Sequence, residues 1–214
     1  DVRSRPGHGS SFTVTVPLAS EDSIKKQKAP DAAQGDHPVL EGLRVVAFAG
    51  LGRPGGFSRL LHELGLKSVV SIAAELSTGR SPFSPESFHG ILLDAPCSGT
   101  GVLKRHPEGK WNKDPSVVRD LAAEQEALLR SMVDLLLPGG RLLYCTCSLL
   151  QEENEDVIDR FLSSTHGIVR LDIRKVHSHP RGDLFTKRGD LRLWPDLHDT
   201  DGFFACTISG NTPI

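Results

Sequence analysis

One stretch of the chain, residues 91–101, constrains the fold more than any other; it reads Ile-Leu-Leu-Asp-Ala-Pro-Cys-Ser-Gly-Thr-Gly. The continuous apolar run up to Leu93 predicts a parallel strand that is covered on both faces. Pro96 cannot donate a backbone hydrogen bond to a sheet, so the strand has to end before it. Asp94 and Cys97 therefore lie at the carboxyl end of a strand, the edge where open α/β sheets bind ligands.

A second strand of this kind is predicted after the Pro-Gly-Gly turn at residues 138–140, and it leads into Cys-Thr-Cys-Ser at residues 145–148. Between the two strands, Asp114 caps a helix that has Pro115 in its first position. The helix shows a single apolar stripe, formed by Val118, Leu121, Ala122, Leu128, Leu129, Met132, Val133 and Leu136. Because strand–helix–strand crossovers are right-handed, this connection places the two strand ends side by side.

The segments at residues 94–99 (Asp-Ala-Pro-Cys-Ser-Gly) and 146–148 (Thr-Cys-Ser) together resemble RNA cytosine-5 methyltransferases of the NOL1/NOP2/Sun family, especially bacterial ribosomal RNA enzymes of the RsmB type. The resemblance extends over residues 88–208. It implies a Rossmann-like α/β fold with a mostly parallel sheet and an antiparallel carboxyl-terminal edge. It also implies S-adenosylmethionine as the cofactor and RNA, in particular ribosomal RNA, as the partner.

The same resemblance implies roles for three side chains: Cys147 attacks carbon 6 of cytosine, Cys97 helps to release the product, and Asp94 hydrogen-bonds the base. Carbon 5 of cytosine is a poor nucleophile, so a thiolate has to add to carbon 6 first. The attacking cysteine therefore needs a depressed pKa. The target base has to be single-stranded or flipped out of its stack.

The predicted cofactor loop follows a first core strand at residues 43–48. In the resembled family this loop carries an acid, a cysteine and a lysine around Pro-Gly-Gly, but here those three positions read Ala49, Leu51 and Phe57. The candidate cofactor-binding residues are Pro54, Gly55, Gly56, Glu75 and Asp94.

The cofactor half of the domain is predicted to be shortened. A second strand is expected at residues 67–72, with Glu75 at the position of an acid that binds the ribose hydroxyl groups. The polar segment from there to Phe88 is too short for the helix and third strand that the family carries. An inactive methyltransferase fusion fragment therefore stays open as an alternative.

A basic segment follows the glycine loop and supplies the candidate RNA-binding residues Lys104, Arg105, His106 and Lys110. The chain has a formal charge of −2, so RNA affinity has to come from such a local cluster. Two interpretations of the segment stay open. It lies beside RNA, or it is a surface loop with Trp111 folded onto the core.

Other conspicuous residues are assigned structural roles. Residues 151–156 (Gln-Glu-Glu-Asn-Glu-Asp) are interpreted as the solvated face at the start of a helix. Cys145 and Cys206 are interpreted as small buried residues, and no metal site is expected because the cysteines lack zinc-type spacing. His198 is predicted to stabilise the turn between two final strands.

The first 40 residues are interpreted as a separate segment, an extended amino-terminal tail that resembles the end of a sensor histidine kinase ATPase domain and continues into a linker. Residues 4–12 resemble the last glycine box of sensor histidine kinase ATPase domains, and the apolar alternation over residues 12–18 predicts one half-buried strand. Residues 19–39 have the composition of a solvated linker. The methyltransferase-like domain is therefore predicted at residues 41–214.

A signalling fragment is the alternative from a different class, because residues 41–94 weakly resemble the front of a receiver domain with Asp94 as the phosphate acceptor. A receiver also needs acids after its first strand to hold magnesium. Residues 47–50 instead read Ala-Phe-Ala-Gly.

No apolar run approaches the roughly 18 residues of a membrane helix, and no signal peptide is visible. We therefore expect a cytoplasmic protein with reduced cysteines and no membrane partner, and a monomer by default. The chain begins with Asp1 rather than Met, so we expect a fragment of a longer product or a processed one.

Overall fold

The fold is a mixed α/β sheet with helices packed against it. The computed structural model describes residues 83–112, 114–176 and 181–210, together with the backbone of three strands at residues 12–16, 45–49 and 70–74. The described strands are β1 (Phe12–Val16), β2 (Val45–Ala49), β3 (Val70–Ala74), β4 (Phe88–Asp94), β5 (Leu136–Thr146), β6 (Ile168–Leu171), β7 (Leu191–Leu193) and β8 (Phe203–Gly210). The described α-helices are α1 (Pro115–Val133), α2 (Glu155–Ser164), α3 (Ile173–Val176) and α4 (Pro195–His198).

The described strands form one sheet in the order β3-β1-β2-β4-β5-β8-β6, and β7 also pairs with β8. The ladders β2–β4 and β4–β5 are parallel, whereas β5–β8, β6–β8 and β7–β8 are antiparallel. Most of the strands therefore run in one direction, and β1 and β8 run opposite to them. This confirms the predicted mostly parallel sheet with an antiparallel carboxyl-terminal edge.

Helix α1 forms the predicted crossover between β4 and β5. Asp114 caps it by accepting a hydrogen bond from the backbone N–H of Ser116 at 2.7 Å, and Pro115 is its first residue. Its fully buried side chains pack against Leu93 and Leu142 of the sheet within a single hydrophobic core; they are Leu128, Leu129 and Met132. The structure thus confirms the predicted connection.

Helix α1 ends at Val133, and strand β5 begins at Leu136, earlier than predicted. Leu136 therefore belongs to the strand and not to the apolar stripe of the helix. The Pro-Gly-Gly turn lies inside the strand as a bulge, since Phe88 pairs with Leu136 but Gly90 pairs with Arg141. A bulge of this kind needs a residue with positive φ, and Gly139 supplies it at 73°.

The acid-rich segment before α2 differs from the predicted solvated face. Its outer residues, Gln151 and Glu152, are exposed as expected, but Glu153 and Asn154 are completely buried. Their polar groups are turned inward because they bond to the loops that follow β4 and β5. The interpretation of this whole segment as a solvated face is therefore wrong for these two residues.

The carboxyl-terminal strands agree with the prediction. Strands β7 and β8 pair antiparallel, and the short helix α4 lies between them. His198 accepts a hydrogen bond from the backbone N–H of Trp194 at 2.8 Å through Nδ1, which fixes the start of this turn.

The amino-terminal strand is observed at Phe12–Val16, where the alternation predicted it, and it pairs antiparallel with both β2 and β3. It therefore belongs to the main sheet and not to an extended tail, because it supplies the strand between β2 and β3. The predicted strands at residues 43–48 and 67–72 correspond to β2 and β3. The predicted boundary between residues 40 and 41 lies outside the described residues and stays a prediction. Within the described part of the chain, no helix is long and apolar enough to cross a membrane.

The packing of α1 predicts a measurable loss of stability. Leu128→Ala removes a fully buried side chain from the core, and we expect it to lower the free energy of unfolding by about 2–5 kcal/mol. Val117→Ala on the exposed side of the same helix should change it by less than about 0.5 kcal/mol. Urea unfolding checks both, and equal losses would contradict the assigned helix face.

Candidate active site

The candidate active site lies where β4 and β5 end beside each other. Asp94 is the last residue of β4 and pairs with Cys145 of β5. The pairing continues one residue further, because the backbone N–H of Ala95 donates to the carbonyl of Cys145 at 2.9 Å. The loops that follow the two strands therefore leave the sheet together.

The two loops bring together the cysteines that the sequence analysis singled out. The Sγ atoms of Cys97 and Cys147 are 3.3 Å apart, and both side chains are half-buried. The loops also contact each other through their backbones, since Gly101 N–H donates to the carbonyl of Cys147 at 2.9 Å. A Cβ at Gly101 would lie 2.7 Å from that carbonyl oxygen, so only glycine permits this approach.

The hydrogen bond between the two thiols makes them chemically unequal. The contact with Cys97 lowers the pKa of Cys147 below its usual value. The same contact, together with burial, raises the pKa of Cys97. Cys147 is therefore the easier of the two cysteines to ionise, and a lowered pKa is the property that a nucleophilic cysteine needs.

The other two cysteines are structural. Cys145 and Cys206 are buried in β5 and β8, and burial raises the pKa of both thiols. Their assignment as small core residues is confirmed.

Asp94 is half-buried at the end of β4, and desolvation raises the pKa of its carboxyl group. Its charge in turn opposes ionisation of Cys147. A carboxyl group with a raised pKa can share a proton with a ring nitrogen of a bound base, which is the kind of contact predicted for this residue.

Glu153 is a residue of the site that the sequence analysis missed. Its carboxylate accepts hydrogen bonds from the backbone N–H of Ser98 at 2.7 Å, the Ser98 hydroxyl at 2.5 Å and the Ser148 hydroxyl at 2.5 Å. These serines directly follow Cys97 and Cys147. The sequence feature that could have indicated Glu153 is the run of polar residues directly after β5. Polar groups beside the end of a buried strand need hydrogen-bond partners, so part of such a run faces inward.

Asn154 and the backbone of Glu153 extend this network into β5. The Thr146 hydroxyl donates to Asn154 Oδ1 at 2.5 Å, and Asn154 Nδ2 donates to the carbonyl of Ser148 at 2.9 Å. The buried Tyr144 hydroxyl donates to the Glu153 carbonyl at 2.6 Å. The loop that carries Cys147 is thus bonded on both sides.

A family model described as 16S rRNA methyltransferase RsmB/F matches residues 54–209, more than half of the chain. The chain belongs to the RsmB/F methyltransferase family. It is 41% identical over 131 residues to ribosomal RNA small subunit methyltransferase F of Escherichia coli O17:K52:H18, a match that covers 58% of this chain and 26% of that relative. The chain thus spans about a quarter of the length of the curated relatives it matches.

Two solved structures share the fold of this RsmB/F domain. The first is the crystal structure of PH0851, which has 31% sequence identity to this chain and a TM-score of 0.61. The match covers 73% of this chain and 34% of PH0851. NSun6 from Pyrococcus horikoshii, solved with SFG, is 24% identical with a TM-score of 0.57, and the match covers 78% of this chain and 41% of that one.

RsmB/F methyltransferases use S-adenosylmethionine. Of the predicted cofactor-binding residues, Pro54, Gly55, Gly56 and Glu75 lie outside the described residues. Asp94 is described, and it is level with Ala49 at the end of the adjacent parallel strand β2. Two parallel strands that end together form the type of edge at which α/β sheets bind ligands, so this backbone arrangement fits a cofactor. No group of metal-ligating side chains occurs among the described residues.

The predicted RNA-binding residues are all exposed. Arg105 is ion-paired with Asp201, Lys104 lies 3.9 Å from Asp199, and the Lys110 ammonium lies 4.6 Å from the centroid of the Trp111 ring. His106 is 3.4 Å from Glu108. Trp111 is 78% exposed, so the interpretation that it folds onto the core is wrong.

The thiol pair predicts how the reactivity of Cys147 depends on pH. Cys97→Ala removes the hydrogen bond that lowers the pKa of Cys147, so its alkylation by iodoacetamide should shift to higher pH. Cys97→Ser retains a donor and should shift it less. Peptide mass spectrometry across a pH series measures both, and an unmoved midpoint in Cys97→Ala would show that the contact does not control ionisation.

Proposed function

We propose that this chain is the catalytic region of an S-adenosylmethionine-dependent methyltransferase that modifies carbon 5 of a cytosine in RNA, with 16S rRNA as the substrate class. The observation that carries the proposal is the 3.3 Å contact between the Sγ atoms of Cys97 and Cys147 at the end of two parallel strands. One cytosine ring can be reached by both thiols from there. An rRNA substrate places this reaction in the cytoplasm.

Cys147 is the nucleophile in this proposal because its pKa is the lowered one. Its thiolate forms a bond to carbon 6 of cytosine, and the electron pair of the 5,6 double bond shifts toward the ring nitrogen. Asp94 stabilises the charge that develops on the ring nitrogen, and its raised pKa favours proton sharing there. S-adenosylmethionine, when bound, supplies the methyl group to carbon 5.

Product release requires loss of the proton on carbon 5 and departure of the Cys147 thiolate, which restores the double bond. Cys97 is suited to accept this proton once it has itself released its thiol proton to solvent, after the adduct has formed. Once Cys147 is bonded to carbon, it no longer opposes ionisation of Cys97, which is the main cause of the raised pKa of Cys97. The two cysteines therefore act in sequence.

RNA binding is assigned to the exposed segment 104–111. Cationic side chains attract the phosphate backbone, and an exposed aromatic ring stacks on an unpaired base. The segment is connected to the site because Gly101, three residues before Lys104, is bonded to the backbone of Cys147.

The signalling alternative, with phosphorylation of Asp94, receives no support from a described residue. The adjacent strand β2 carries Ala47, Phe48 and Ala49 where a receiver needs acids.

We expect Cys147→Ala to abolish methyl transfer to RNA, because it removes the proposed nucleophile. Cys97→Ala should instead accumulate a covalent RNA adduct, visible as a shifted band on a denaturing gel. Cys206→Ala, at a buried thiol of β8, is the control and should methylate normally. Undiminished methylation by Cys147→Ala would contradict the proposed mechanism.

Trp111→Ala should weaken binding to a single-stranded RNA oligonucleotide by about tenfold, since stacking of one base contributes roughly 1–3 kcal/mol. Trp111→Phe should retain most of the affinity. Val169→Ala, at another exposed apolar residue on β6, serves as the control and should leave affinity unchanged. Fluorescence anisotropy titrations check this, and equal affinity of the Trp111→Ala and wild-type chains would remove Trp111 from the RNA-binding surface.

A further inference from the structure

A completely buried carboxylate lies between the two cysteine loops and takes no part in the chemistry described above. Glu153 belongs to a short 3₁₀ turn, Gln151–Glu153, just before α2. No ion pair to this carboxylate occurs among the described residues. A buried charge is costly unless hydrogen bonds offset the loss of water, so these bonds have to be strong and numerous.

The hydrogen bonds of Glu153 connect the two loops directly. One carboxylate oxygen accepts from the Ser98 N–H, and the other accepts from both the Ser98 and the Ser148 hydroxyls. Ser98 and Ser148 are covalently adjacent to Cys97 and Cys147. The position of each thiol along its loop is therefore fixed relative to the same carboxylate.

The surrounding residues keep this carboxylate in place. Gln125 on helix α1 reaches Glu153 Oε1 at 3.4 Å and donates to the Pro96 carbonyl at 2.7 Å. Thr100 contacts the Ser148 hydroxyl at 3.2 Å and accepts from the Leu149 N–H at 2.8 Å. These contacts span the crossover helix and both loops, so the carboxylate is held by three elements.

We propose that Glu153 is a positioning residue that holds the Sγ atoms of Cys97 and Cys147 in hydrogen-bonding contact and thereby makes Cys147 the nucleophile. The catalytic meaning of this role rests on the proposed function. The contact itself is testable without RNA or cofactor, through the reactivity of Cys147.

Glu153 has two opposite effects on Cys147. Its negative charge, like that of Asp94, raises the pKa of Cys147, whereas the thiol contact that it maintains lowers that pKa and is the larger influence. Asp94 at the end of β4, Cys97 in the following loop and Glu153 are the titratable groups that act on this thiol. A purely electrostatic role and a positioning role therefore predict shifts in opposite directions.

The test compares Glu153→Ala with Glu153→Gln by the pH dependence of Cys147 alkylation, measured with iodoacetamide and peptide mass spectrometry. Glu153→Ala removes every acceptor, and we expect alkylation at neutral pH to slow by about tenfold, as a rise of one pKa unit would give. Glu153→Gln retains a carbonyl acceptor for the Ser98 N–H and an amide donor for the hydroxyls. It should therefore alkylate as fast as the wild type or faster.

Faster or unchanged alkylation of Cys147 in Glu153→Ala would overturn the proposal. Alkylation of the buried Cys145 and Cys206 would show that Glu153→Ala has lost the fold. In that case Ser148→Ala, which removes one of the hydroxyl donors, is tested instead of Glu153→Ala, and we expect the same slowing of Cys147 alkylation. Absence of RNA methylation in the wild type, combined with the expected alkylation pattern, would contradict the proposed function and leave the positioning role supported.

Discussion

The carboxyl ends of β4 and β5 lie side by side because their parallel ladder continues to the pair Asp94–Cys145. The predicted site depends on this pairing, since each strand ends in a loop that carries one cysteine. The crossover helix α1 makes the parallel arrangement possible and contributes Leu128, Leu129 and Met132 to the core beneath it. Loss of the ladder would separate two thiols that are 3.3 Å apart.

Two identical side chains acquire different chemistry from this geometry. The contact raises the pKa of Cys97 and lowers that of Cys147, so Cys147 is easier to ionise than its neighbour. The buried carboxylate of Glu153 maintains their separation, although its charge alone would oppose ionisation. Position thus outweighs charge at this site, and the contact between the loops determines which cysteine ionises more easily.

Local sequence signals were sufficient to predict β4 and the capped crossover helix, and the crossover between two parallel strands then predicted the meeting of Cys97 with Cys147, whereas β6 was not predicted. The strand and the helix are encoded by neighbouring residues: an apolar run, a proline stop or an N-cap. The burial of Glu153 could not be predicted in the same way, because its partner Ser98 is 55 residues away in the chain. The pairing of β1 with β2 and β3 is non-local for the same reason, and an acid-rich run is otherwise typical of a solvated helix start.

The covalent step is the central claim, and it is tested most directly with an RNA in which cytosine carries fluorine at carbon 5. A base can remove hydrogen from carbon 5 as a proton, but it cannot remove fluorine in this way. The elimination step is therefore blocked, and the methylated nucleotide stays bonded to the cysteine. With S-adenosylmethionine present, digestion and mass spectrometry should find the nucleotide attached to the peptide that contains Cys147. Attachment to Cys97, or no adduct although the RNA and the cofactor are bound, would contradict the account.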